Sequence, residues 1–230
     1  MKSVTIGSSQ PNLQTKKIQV GGMSQSGSTL CFNLVRLLLE QSKSHEYKYI
    51  LTKDHRKIPD QDFYIVTIRD IRDTTASYYR KYKKRMSMDF FDLQLKSARK
   101  NILYLNSYGT LKSNCLLPCC VNTKVILLWK YELYKSAPRM MLNRITKFLK
   151  LEFLSEHTIS FILNYAEGLI DKAPYESFND LNFYQKTFMT QDNRTNHGIV
   201  GSYNKTLPRN FIEKLNIDYR DWLLKYGYDV

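Results

Sequence analysis

The stretch Ile18-Gln-Val-Gly-Gly-Met-Ser-Gln-Ser-Gly-Ser-Thr-Leu-Cys-Phe-Asn-Leu-Val-Arg-Leu-Leu-Leu-Glu40 decides how this chain is read. It predicts a short apolar strand over 18–22, a Gly/Ser loop, and a helix opened by Ser28 or Thr29 and running from about 29 to 42. Such a loop is an anion cradle: its N–H groups converge, and the helix dipole adds about half a positive charge at that end. Gly22 and Gly27 have the separation of a nucleotide P-loop, but Ser28 stands where that motif needs lysine. An ordinary capped strand-to-helix turn remains an alternative reading of this stretch taken alone.

Working outward, Tyr47–Leu51 and the β-branched and aromatic run Phe63–Ile68 read as strands, and 124–129 as a fourth. Helices are expected from a cap at Asp73 to about 85, over 90–108, 137–150 and 155–166, and from Pro208 to Lys225 with a break near 217–218. Residues 167–206 carry few periodic signals and read as a long loop. Strands alternating with helices predict a three-layer α/β domain with a mainly parallel central sheet flanked by helices. Residues 1–16 read as a flexible tail, and 17–230 as one domain.

The chain has 230 residues and a formal net charge of +14, from 35 Lys+Arg against 21 Asp+Glu, which favours an anionic partner. Residues 1–16 contain no apolar signal core, and no run is long enough to span a membrane, so a cytoplasmic protein is expected. Cys115, Cys119 and Cys120 lack paired metal-ligand spacing and have no nearby histidine, so no metal is expected. The basic run Tyr79–Arg85 reads as a solvated helix face rather than a nucleic-acid groove.

Three segments lie just past the carboxyl ends of expected strands: the 22–29 loop, Lys53-Asp-His-Arg56, and Arg69-Asp-Ile-Arg-Asp73. Ligands of open parallel sheets bind along that edge. His55 is a candidate general base because its ordinary pKa is near neutral. Arg69 ends a buried strand and needs a fixed anionic partner, with an ion pair to Asp70 or Asp73 as the alternative to a ligand. Ser77, eight residues on, reaches the same crevice.

Taken in order, these pieces resemble the sulfotransferases that use 3′-phosphoadenosine 5′-phosphosulfate (PAPS). The family's phosphosulfate loop, Lys-Ser-Gly-Thr-Thr-Trp, is similar to Gln25-Ser26-Gly27-Ser28-Thr29-Leu30, and its Lys-x-His segment to Lys53-Asp54-His55. Its 3′-phosphate motif is similar to Arg69–Asp73 with Ser77, its Tyr-Glu pair to Tyr131-Glu132, its Ser-Phe step to Ser177-Phe178, and its Gly-x-x-Gly loop to Gly198–Gly201. The resemblance implies a P-loop-like architecture, PAPS as co-substrate with PAP as product, no metal, and sulfuryl transfer with His55 as base and Lys53 stabilising the leaving group. It places Gln25–Leu30, Arg69, Ser77, Tyr131, Ser177, Phe178, Arg194, His197 and Gly198 around the nucleotide.

This sequence departs from the pattern where Gln25 replaces the loop lysine, and where Asn196-His197-Gly198 replaces Arg-Lys-Gly, with Arg194 the nearest arginine. The acceptor is left open among a small molecule, saccharide, peptide or lipid headgroup, with Tyr104, Tyr108, Phe183, Tyr184 and Phe188 as wall candidates. A homodimer is also left open. Two competing readings stand beside transfer: a catalytically inert nucleotide- or sulfated-ligand-binding member of the fold, and a P-loop kinase-like phosphotransferase.

Overall fold

The computed structural model describes residues 2–7, 13–42, 47–82, 90–106, 126–179, 186–187 and 198–230. A five-stranded sheet has the order β1-β3-β2-β4-β5, formed by β1 (Lys2–Ile6), β2 (Gln14–Gly22), β3 (Tyr47–Lys53), β4 (Phe63–Ile68) and β5 (Ile126–Lys130). The three inner pairings among β3, β2, β4 and β5 are parallel, and β1 adds to β3 antiparallel.

The chain moves from β2 to β3 on one side, then returns to place β4 on the other side of β2. Strand order therefore reverses at β2, and the loop after it lies at the switch point where a crevice opens. Helix α1 (Ser28–Gln41) leaves from that loop. Then come α2 (Ile71–Tyr82), α3 (Phe90–Asn106), α4 (Tyr131–Ser136), α5 (Pro138–Phe148), α6 (Glu156–Asn179), α7 (Tyr203–Thr206), α8 (Arg209–Asp218) and α9 (Arg220–Lys225).

Period-two alternation divides the strands between two cores. Ile18, Val20, Leu51, Ile65, Leu127 and Trp129 face α1, α5 and α6. Tyr64, Val66 and Ile68 face the other way, with Ala98 and Leu105 of α3 and Leu223 of α9. This is the expected three-layer arrangement.

Three expectations fail. Lys2–Ile6 is an edge strand instead of part of a flexible tail, because Val4 and Ile6 alternate onto the core. β2 correspondingly starts at Gln14. The segment expected as loop from 167 is helical to Asn179, since α6 runs through Gly168 and Pro174. Helix α2 starts at Ile71, so Asp73 lies inside its first turn and is not its cap. No helix among the described residues is long and apolar enough to cross a membrane.

Candidate nucleotide and transfer site

The loop after β2 is built to leave backbone donors unspent. Met23 N–H extends the ladder to Thr67 O (3.0 Å), and Ser24 N–H is taken by Asn101 Oδ1 of α3 (2.8 Å). Ser26 is fully buried, with Oγ 2.6 Å from both Met23 O and Thr67 Oγ1, so its hydroxyl holds the loop on β4. Gln25 adopts left-handed backbone (φ 61°) and Gly27, the N-cap of α1, does too (φ 81°). No side chain caps the helix, and its first internal bond is Cys31 N–H to Gly27 O. The N–H groups of Ser28, Thr29 and Leu30 thus precede the helical ladder, at the positive end of the dipole. Leu30's side chain is buried in the core, so only its backbone belongs to the cradle.

Tyr131 joins this loop to the distant parts of the site. It opens α4, directly after β5, and is buried to 4% exposure. A Cβ on Gly27 would come within 2.6 Å of its ring, and one on Gly198 within 1.8 Å of its hydroxyl. Only hydrogen at these two positions lets the phosphate loop and the C-terminal loop close on opposite sides of one aromatic ring. The Arg69 guanidinium lies 4.5 Å from the ring centroid. Burial pushes the Tyr131 phenol up to about 12, which keeps it neutral.

Arg69 follows directly on β4 and is itself 4% exposed. Its Nη2 donates to Ile199 O (3.0 Å) and lies 3.5 Å from Asp73 Oδ2. Asp73, fully buried in the first turn of α2, accepts from Gly201 N–H (2.8 Å), Ser202 Oγ (3.0 Å) and Tyr203 N–H (3.1 Å). Its partner of the sequence motif, Asp70, instead pairs with Arg72 at 2.7 Å. Further along α2, Arg80 Nη1 donates to Ser202 Oγ (3.3 Å) and Thr206 Oγ1 (2.9 Å). The stretch 199–206 is therefore tied to the end of β4 and to α2 by one carboxylate and two guanidinium groups. Ser77, on the same helix, donates to Gln25 Oε1 (3.1 Å).

His55 stands beyond β3, with Nδ1 3.1 Å from Gly22 O. A carbonyl only accepts, so Nδ1 carries the hydrogen and Nε2 is the basic nitrogen of the neutral ring. Burial, then the neighbouring Lys53 charge, lower its pKa to about 4, against the Gly22 hydrogen bond, which raises it. The ring stacks on Tyr104 of α3 at 5.6 Å, between centroids. At neutral pH this is an uncharged imidazole, able to take a proton.

The structure brings together Gln25–Thr29, Arg69, Ser77, Tyr131 and Gly198 through these contacts, and sets Lys53 beside His55. Ser177 and Phe178 lie on the last turn of α6. Arg194, His197, Tyr108, Phe183, Tyr184, Phe188 and the Cys115, Cys119 and Cys120 cluster lie outside the described residues. Sequence reasoning missed Asp73 and Arg80 as anchors of the C-terminal loop, and Glu132. The Glu132 carboxylate accepts Asp70 N–H (2.8 Å) and the Tyr228 hydroxyl (3.1 Å). Nothing local signals these pairings, because the partners are separated by up to 130 residues.

A search of curated protein sequences finds no match. Among solved structures, the fold is similar to mouse sulfotransferase SULT7A1 complexed with PAP (TM-score 0.65, 14% identity, covering 94% of this chain and 85% of that one). It is equally similar to retinol dehydratase in complex with androsterone and inactive cofactor PAP (TM-score 0.65, 14% identity, covering 95% and 83%). The family model described as "Sulfotransferase domain" matches residues 61–227, beginning after the phosphate loop and His55. Because that match spans well over half of the chain, the protein belongs to the sulfotransferase domain family.

Proposed function

We propose that the chain transfers a sulfuryl group from PAPS to an acceptor hydroxyl or amine, with His55 as general base. The observation that carries this reading is the packing of Gly27 and Gly198 on the two sides of Tyr131 with Arg69 over its ring, which makes one site of segments far apart in sequence. The residues fit an anionic nucleotide. Arg69 Nε and Arg80 Nε are buried without a hydrogen-bond partner among the described residues, and the first-turn N–H groups of α1 precede the helical ladder.

PAPS, when bound, supplies the activated sulfuryl group. The Ser28, Thr29 and Leu30 N–H groups, with the Ser28 and Thr29 hydroxyls, hold the 5′-phosphosulfate. Arg69 and Ser77 hold the 3′-phosphate. His55 Nε2 would take the acceptor proton as the bond from sulfur to the acceptor oxygen or nitrogen forms and the S–O bond to the 5′-phosphate breaks, and Lys53 would offset the charge that grows on the leaving phosphate. Donors already aimed at developing charge contribute several kcal/mol, each about 3 by analogy with other enzymes' oxyanion holes. Tyr104, stacked on His55, forms an aromatic wall at the acceptor side, and the androsterone in complex with retinol dehydratase supports a small-molecule acceptor.

The test is labelled sulfate transfer from PAPS to a broad acceptor panel, alongside calorimetric titration with PAP. Transfer that disappears in His55→Ala, with PAP affinity retained, is the expected result. Undiminished transfer in that variant would remove the base from the mechanism. A second reading, nucleotide binding without turnover, is favoured by Gln25, which brings no charge to the position of the family's lysine. Clear PAP binding with no transfer to any acceptor would select it.

A further inference from the structure

The base-bearing segment after β3 is held by a buried amide on the neighbouring strand. Gln19 lies at the centre of β2, where its neighbours Ile18 and Val20 both enter the apolar core. Its own side chain points to the opposite face and has no solvent exposure. A buried amide at the middle of a parallel sheet is costly unless its hydrogen bonds are made. Here three of them are made to one short segment. Nε2 donates to Asp54 O (3.0 Å) and to Arg56 O (2.5 Å), and Oε1 accepts from Ile58 N–H (2.9 Å). The two carbonyls belong to the residues immediately before and after His55. Tyr64, the cross-strand partner of Gln19 on β4, donates from its hydroxyl to Ile58 O (2.8 Å).

We infer that Gln19 is the positioning residue of the His55 base. Two donors clamp the backbone on either side of His55, and that clamp fixes the ring with Nδ1 on Gly22 O and Nε2 as its basic nitrogen. Gly22 lies three residues further along the same strand, so β2 sets both the position of the backbone and the tautomer of the ring. Tyr64 completes the clamp at its far end. This inference rests on the reading of His55 as the base, but the clamp itself makes a claim about the ligand-free protein.

The experiment uses Gln19→Met, close in size and without donors, with Tyr64→Phe as a milder variant that deletes only the bond to Ile58 O. Two readouts are taken. The first is the His55 titration midpoint by NMR on the ligand-free protein. It is expected to rise from near 4 toward 6.5 in Gln19→Met, and part of the way in Tyr64→Phe, as the released segment becomes solvated.

The second is steady-state transfer. kcat falls between about tenfold and a hundredfold, as misplacement of a catalytic group by an ångström does, while PAP affinity stays within about twofold. Adding Gln19→Met to His55→Ala produces no further loss. An unchanged His55 midpoint in both variants would overturn the clamp, and a loss of PAP affinity equal to the loss of kcat would make Gln19 merely structural. If Gln19→Met does not fold, Tyr64→Phe alone decides, by the same two readouts. A shifted midpoint with undiminished turnover in His55→Ala would leave the clamp standing and remove the base.

Discussion

The Ser77 hydroxyl donates to the side-chain carbonyl of Gln25 across 3.1 Å, which links α2 to the phosphate loop through the one loop residue that departs from the family's lysine. Gln25 holds this contact from left-handed backbone, a conformation non-glycine residues rarely adopt. The two proposed phosphate positions are therefore already in contact with each other.

Gln25→Lys replaces a neutral acceptor with a cation that can donate to Ser77 and to a phosphate oxygen. Charge-assisted hydrogen bonds are roughly twice as strong as neutral ones. PAP is expected to bind about tenfold tighter by calorimetry, a gain of about 1.4 kcal/mol. Unchanged affinity would mean that the Gln25 side chain does not approach the nucleotide.

The depressed pKa of His55 sets the acid side of the pH profile. Burial first, and Lys53 second, bring it from 6.5 to about 4. The acid limb of kcat/KM is thus expected to have its midpoint near 4 instead of near 6.5. The sign for stability follows from linkage. The unfolded chain takes up this proton at higher pH than the folded one, so acid favours unfolding. The contribution is intact above about 6.5 and is lost as pH falls toward 4. Denaturant titrations across that range should show the decline, and His55→Gln should flatten it.

Gly198→Ala combines a left-handed backbone (φ 63°) with a Cβ placed 1.8 Å from the Tyr131 hydroxyl. A cost of about 1–3 kcal/mol is expected for backbone strain of this kind. Pairing it with Tyr131→Phe removes the closest clashing atom and should recover part of the melting temperature lost. The same rescue applied to Gly201→Ala should do nothing, because a Cβ there meets no atom within 4 Å.

Asp73→Asn leaves the shape of a buried acceptor but discards its charge beside Arg69. Breaking a buried pair of this kind costs roughly 3–5 kcal/mol. Melting curves should show the loss. PAP affinity should drop with it, since Asp73 holds Gly201, Ser202 and Tyr203 against α2.

The elements that place the phosphate loop could be read from the chain because their signals are local. The run 63–68 is continuously apolar or β-branched, and the Gly/Ser segment between 20 and 30 separates two periodic stretches. The edge strand at Lys2–Ile6 was harder to see, since only Val4 and Ile6 alternate inward from a polar segment. The stretch from 167 reads as loop because it carries few periodic signals, yet α6 continues through Gly168 and Pro174 to Asn179, because packing of its earlier turns against α1 overrides local propensity. The tethers at Asp73 and Glu132 could not be read, as each depends on hydrogen bonds between segments that sequence spacing does not relate. Gln19 carried a signal that went unused: an amide between Ile18 and Val20 has to be satisfied from outside its own strand.

The attachment of residues 199–206 to Asp73, and of Tyr228 to Glu132, has a consequence for biosynthesis. A ribosome makes β2, the phosphate loop and α2 long before it makes the segments that anchor to them. Until Gly201, Ser202 and Tyr203 emerge, Asp73 is a carboxylate beside an arginine with its remaining partners missing, and Gly198 has not closed on Tyr131. The nascent chain therefore carries the loop after β2 without the segments that close on it, and the proposed nucleotide pocket is complete only once residues 198–203 have been made.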